Sequence, residues 1–216
     1  MSYARAASCA CLAASLSLCA LLAEAPKPIP LPAPVKTGGM PLMEALALRA
    51  TSRDFAPTPL NSQQMSNLLW AAFGINRKDG KRTAPSSMDR QEIELWLLTP
   101  EGVQVYDAKN HQLVPVLKED LRALGGRQAF VKDAPLTLVF VADHARLGSG
   151  QDAEKERTAA IDTGFISQNV YLFCASEGLA TGVRTWVDTE ALGKRLGLSP
   201  HQHITAAQSI GFPKKK

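Results

Sequence analysis

Hydrophobic positions along the chain follow two periods that alternate, and the alternation predicts an α+β domain. In residues 40–50, Leu42, Met43, Leu46 and Ala47 recur at helical spacing. Asn61 and Ser62 supply N-cap chemistry for a second helix carrying Met65, Leu68, Leu69, Ala72 and Phe73, which stops at Gly74. Residues 76–90 are polar, contain Gly80 and Pro85, and read as a loop. The period then changes to two. Ile93, Leu95 and Leu97 alternate with Glu94 and Trp96, which predicts a strand over 92–98. Further strands are expected at 102–106 and 112–116, joined by a Lys109-Asn110 turn, and a short helix at 118–124 ends at Gly125-Gly126. The run 136–141 is continuously apolar and β-branched, the mark of a strand buried on both faces. A long helix spans 152–176 and ends by Gly178. Asp188 caps another helix that Gly197 closes, and 204–211 is a last strand. These elements make a small, mostly antiparallel central sheet flanked by helices, with one long helix near the middle.

The N-terminal pattern differs. Arg5 precedes a stretch of small and apolar residues over 6–23, and Ala23-Glu24-Ala25 has small-x-small spacing. Residues 1–25 therefore read as a secretory signal peptide, implying an exported, periplasmic protein; an uncleaved membrane anchor is the alternative. Pro26, Pro28, Pro30, Pro32 and Pro34 make 26–39 an extended linker with no packed core, so the domain is expected to cover 40–216.

Charge narrows the function classes. Three of the four excess positive charges belong to Lys214, Lys215 and Lys216, so the rest of the chain is close to neutral and lacks the basic face of a nucleic-acid binder. Cys9, Cys11 and Cys19 lie in the leader, which leaves Cys174, within an apolar helical run, as a core residue without a disulfide partner. There is no GxSxG, HExxH or Walker loop, and His201 and His203 have no evident third ligand, so no metal site is expected.

Three stretches carry candidate chemistry. Arg49, Thr51, Ser52 and Arg53 place two guanidinium forks and two hydroxyls just after a helix, a set suited to a phosphate monoester. Pro85, Ser86 and Ser87 form a stiff turn with small donors that can pass beneath a flat ring. The small residues of 178–182 would let backbone approach a ligand. Taken singly, these also read as a helix end, a surface turn and a helix-to-strand connection.

Their order and spacing together resemble the nitroreductase family. Arg49, Thr51, Arg53 and Phe55 fit its opening Arg-x-Ser-x-Arg/Lys-x-Phe motif, with threonine for serine. Pro85, Ser86 and Ser87 fit its Pro-Ser-Ser loop. Gly164, Gln168, Asn169, Leu172, Ala175, Gly178 and Leu179 fit its long helix, and Gly211, Phe212 and Pro213 its closing strand. Arg82 to Pro85, with Gly102, Val103, Tyr106 and Asp107, lean toward the thiazole- and oxazole-forming dehydrogenase branch. The resemblance implies an FMN-dependent oxidoreductase using NADH or NADPH and reducing a small-molecule electron acceptor such as a nitroaromatic or quinone. It implies that Arg49, Ala50, Thr51 and Arg53, with Lys214 from the tail, hold the FMN phosphate and ribityl chain. Pro85, Ser86 and Ser87 would lie along the ring, with Asp89 where many members have asparagine. Thr185 and Trp186 would supply backbone donors near the reactive nitrogen. It also implies a homodimer packed through the long helix, with Gly164 and Ala160 at close approach. Two other readings stay open: a flavin dehydrogenase acting on a peptide or small molecule, and a non-catalytic flavin-binding periplasmic protein. No residue emerges as catalytic.

Overall fold

In the computed structural model, which describes residues 27–215, seven strands among those residues form one antiparallel sheet. The strands are β1 (Ile29–Pro30), β2 (Ile93–Thr99), β3 (Gly102–Asp107), β4 (Gln112–Leu117), β5 (Leu136–Asp143), β6 (Ala180–Arg184) and β7 (Gln202–Gly211), in the order β1-β4-β3-β2-β5-β7-β6. The expected leader and Lys216 lie outside the described residues. No helix among the described residues is long and apolar enough to cross a membrane.

The apolar run at 136–141 becomes β5, buried at every position but its last and paired with β2 and β7. Both faces of this centre are covered. Leu95, Leu97, Leu138, Phe140 and Ile210 pack under helices α2 (Ser62–Phe73) and α3 (Asp152–Ser176). Trp96, Leu98, Val139 and Val141 pack toward helix α4 (Thr189–Leu196) through Leu192 and Leu196. The alternation along β2 therefore separates two cores rather than core from solvent. Gly102 turns the β2–β3 hairpin at φ 139°, where a Cβ would lie 2.2 Å from the Leu117 carbonyl oxygen, so only glycine fits.

The helix boundaries follow their caps. The Asn61 side chain accepts from Gln64 N–H while the Gln64 side chain accepts from Asn61 N–H, a reciprocal capping box. Asp188 accepts from Ala191 N–H at the start of α4, and Gly197 ends it in the left-handed region. A first helix, α1 (Leu42–Leu48), buries only Ala45.

Three expectations are corrected. The helix at 118–124 is instead an irregular segment after β4 ends at Leu117, with a single 3-10 turn, Arg122–Leu124. The small residues after α3 are not a mere connection; they enter β6, the sheet's edge strand. The Pro-rich stretch is extended but packed. Ile29 pairs with Leu113, Leu31 N–H donates to the His111 carbonyl, and Leu31 lies against the main core. Ser66 Oγ donates to the Pro32 carbonyl at 2.6 Å, and Gln63 Nε2 to that of Ala33. Proline lacks an N–H but keeps its carbonyl, so a sheet edge and side-chain donors can hold such a segment.

Candidate functional site

The Arg49–Phe55 segment leaves α1 and lies against β6. Ser52 N–H donates to the Thr181 carbonyl at 2.9 Å. A Cβ on Gly182 would stand 3.1 Å from the Ser52 carbonyl oxygen, so the small residue admits the protein's own backbone. Tyr171 of α3 joins the two. Its hydroxyl accepts from Val183 N–H at 3.1 Å and lies 2.9 Å from Thr51 Oγ1, while the Arg49 guanidinium sits over its ring at 5.2 Å. The C-terminus closes the group: Phe55 bridges Pro213, and Lys214 N–H donates to the Asp54 carbonyl. A cavity of about 140 Å³ between these parts is lined by Ala50, Ser52, Tyr171, Thr181 and Pro213.

Arg49, Thr51, Arg53 and Lys214 thus share one corner, with Ala50 beside them. Among the described residues neither Arg49 nor Arg53 is in an ion pair with a carboxylate, and Thr51 and Arg53 are exposed. The segment thus carries two cations without carboxylate partners on either side of the Thr51 hydroxyl, next to the cavity rather than lining it. Forked guanidinium donors match phosphate oxygens.

The Pro-Ser-Ser turn is a second, separate cluster. Ser87, Met88 and Asp89 form a 3-10 turn, and Met88, Asp89 and Gln91 all have φ between 50° and 56°. Gln91 N–H donates to Ser86 Oγ, and Gln91 Nε2 to Asp89 Oδ1. Asp89 is therefore already engaged as an acceptor, and Asp89 and Pro85 are exposed. Ser87 N–H reaches across to Asp162 Oδ2 of α3 at 2.8 Å.

Both clusters rest on α3, at Asp162 and Tyr171, separated by about two and a half turns, or about 14 Å of helix. No hydrogen bond, ion pair or ring contact among the described residues links them. Thr181 lies beside Cys174, and Val183 beside Tyr171, so β6 runs against the direction of α3. Thr185 and Trp186 follow the end of β6, ahead of Val187 in the core on the α4 side of the sheet. Both are exposed, and the Trp186 carbonyl accepts from Arg127 N–H.

Four residues of consequence carried no sequence signal. Tyr171 sits within an apolar helical run. Arg184 is buried without a carboxylate: it donates to the Gly125 carbonyl and to Ser209 Oγ, and burial lowers its pKa to about 10. Glu92 and Asp162 are buried acids. Cys174 is the core residue its surroundings suggested, its thiol pushed up to about 12 by burial.

Comparison with known proteins identifies the family and the fold. A nitroreductase-family relative from Methanocaldococcus jannaschii is 29% identical over 160 residues, covering 69% of this chain and 81% of its own. A nitroreductase-family crystal structure from Ralstonia eutropha superposes with a TM-score of 0.84 at 40% identity, covering 88% of this chain and 90% of that one. The NADPH:FMN oxidoreductase of Vibrio harveyi, solved with NAD+, shares the fold at a TM-score of 0.61 and 22% identity, over 81% of this chain and 69% of that one. The model of the nitroreductase family matches residues 46–212, and on that match the chain belongs to the nitroreductase family.

Proposed function

We propose that the chain is a homodimeric FMN-dependent oxidoreductase in which bound FMN supplies the redox chemistry, taking hydride from NADH or NADPH and reducing a small-molecule acceptor such as a nitroaromatic or quinone. The observation that carries this reading is the corner where Arg49 and Arg53 stand without carboxylate partners, beside Thr51 and the backbone of Lys214. That donor set fits the dianionic phosphate of FMN: two forks and a hydroxyl satisfy its oxygens without a metal.

Each part of the chain has a task in this reading. Arg49, Thr51, Arg53 and Lys214 bind the phosphate, with Ala50 at the ribityl chain. Tyr171 holds the segment against β6, so the forks are placed before a ligand arrives. Pro85, Ser86 and Ser87 support the ring. Thr185 and Trp186 offer backbone donors from the end of β6. Asp89, bonded by Gln91, is an acceptor at the ring edge and not a donor. A flat acceptor needs a slot beside the ring more than a dedicated acid or base.

The distance between the two clusters supports a second subunit, whose Pro-Ser-Ser loop would complete the site opened by the Arg49 corner. The faces that would meet are exposed and apolar: Leu42, Met43, Leu46 and Leu48 on α1, and Ile161 and Phe165 on α3. The leader pattern supports a periplasmic location.

The deciding experiment uses the purified chain. Visible flavin absorbance, or uptake of added FMN, is expected, followed by bleaching on anaerobic mixing with NADH or NADPH. A colourless protein that refuses FMN removes the proposal. Bound flavin that neither nucleotide bleaches would favour a dehydrogenase or a carrier.

A further inference from the structure

Glu92 has no exposed surface, and neither of its carboxyl oxygens receives an N–H or O–H from another residue. Its side chain reaches the carboxyl group of Asp162, itself buried on α3. Two carboxylates in contact have no proton to bond with; one proton makes the pair a donor and an acceptor. Asp162 in turn accepts Ser87 N–H at 2.8 Å, the contact that ties the Pro-Ser-Ser turn to α3. That turn holds three non-glycine residues in the left-handed region, a conformation that persists only where neighbours enforce it.

We propose that Glu92 is a positioning residue: its carboxyl proton, donated to Asp162, latches the turn at Pro85–Ser87 in the shape that supports the flavin ring. The part concerning flavin rests on the function proposed above; the latch itself does not.

The charged groups around Glu92 are few. Asp162 faces it from α3, and Arg146 approaches from the turn after β5. The Arg146 guanidinium is already committed to Asp143, Glu94 and the Gln91 carbonyl. Across the sheet, Asp143 offers Glu92 only its backbone N–H, bonded to the Glu92 carbonyl. Burial, and then the neighbouring Asp162, raise the Glu92 pKa to about 7. The sign follows from linkage. The native state keeps this proton over a range where the unfolded chain has lost it. The stabilisation is therefore complete below the ordinary glutamate range and is lost as pH rises through about 7.

The test compares the wild-type chain with E92Q and E92M. Glutamine keeps a donor toward Asp162 at every pH; methionine keeps the volume and removes the donor. Hydrogen exchange in residues 85–91, corrected for intrinsic rates, should lose protection in the wild type between about pH 4.5 and about pH 7, by up to about tenfold per unit, and level off above that. E92Q should stay protected throughout, and E92M should be unprotected throughout. The melting temperature of the wild type relative to E92Q should fall over the same range. Equal pH dependence in wild type and E92Q, or full protection in E92M, overturns the latch. FMN titration separates the two readings. A chain that shows the latch but takes up no FMN ends the flavin proposal and leaves the latch standing. A chain whose FMN affinity and loop protection are both independent of pH does the reverse.

Discussion

At the scale of single residues, the proposed phosphate corner depends on how the Arg49 guanidinium is held. Arg49 stacks on Tyr171, while the Tyr171 hydroxyl bonds both Thr51 and β6. These contacts can be separated by mutation. Arg49→Ala removes one fork from the ligand and leaves the fold intact. FMN affinity should fall about 10- to 100-fold, the value of a lost charged hydrogen bond, with an unchanged urea midpoint. Fluorescence titration checks this, and an unaltered affinity would take Arg49 out of the site. Tyr171→Phe keeps the ring under Arg49 but orphans Val183 N–H and frees Thr51. It should cost about 1–2 kcal/mol of stability by urea unfolding and weaken FMN less than R49A does.

At the scale of elements, what was legible in sequence was what local chemistry dictates. The capping box of Asn61 and Gln64, the Asp188 cap and Gly197 exit of α4, and the apolar run of β5 all state their structure within a few residues. What was not legible depends on partners far along the chain. β6 carries Gly182 and a buried Arg184, which read as connection because their partners, Ser52, Gly125 and Ser209, are distant. Glu92 and Asp162 meet only through the fold, as do Tyr171 and Thr51. The candidate site could thus be proposed from motifs, but its geometry could not. The arm at 27–36 misled for the same reason: four prolines suggest a chain without bonds of its own, yet its carbonyls are taken up by side chains of α2 and by His111. Deleting residues 27–36 should lower stability by about 2–4 kcal/mol through lost Leu31 burial and hydrogen bonds. The arm also has a pH sign. Burial first, and Lys36 after it, hold the His111 pKa below the usual value. A group with a depressed folded pKa gives stability that is present above its unfolded pKa and lost as pH falls through the lowered one. Stability should therefore drop on acidification below the ordinary histidine range, and the deletion, which uncovers His111, should flatten that drop in thermal melts.

At the scale of the whole molecule, the question is why so much apolar surface lies open around one helix. Leu42 and Met43 are 62% and 75% exposed on α1, and Ile161 and Phe165 are 53% and 45% exposed on α3. The same helix carries both halves of the proposed site, set too far apart to touch. A second copy packed on this face would cover the apolar residues and bring a Pro-Ser-Ser turn to a phosphate corner in one step. Gly164 tests this without disturbing the subunit, because it is exposed and a Cβ added there meets nothing within 4 Å. In an isolated chain, Gly164→Leu should strengthen α3 by about 1 kcal/mol, since leucine is the better helix former. Any harm must therefore come from a partner. Light scattering should show the variant as a monomer or a weakened dimer with a normal circular dichroism spectrum. FMN occupancy should fall with the loss of the second subunit, even though Arg49 and Arg53 are unchanged. A variant that keeps a native dimer mass places Gly164 away from the twofold contact, and a monomer that still binds FMN tightly shows that one subunit completes the site.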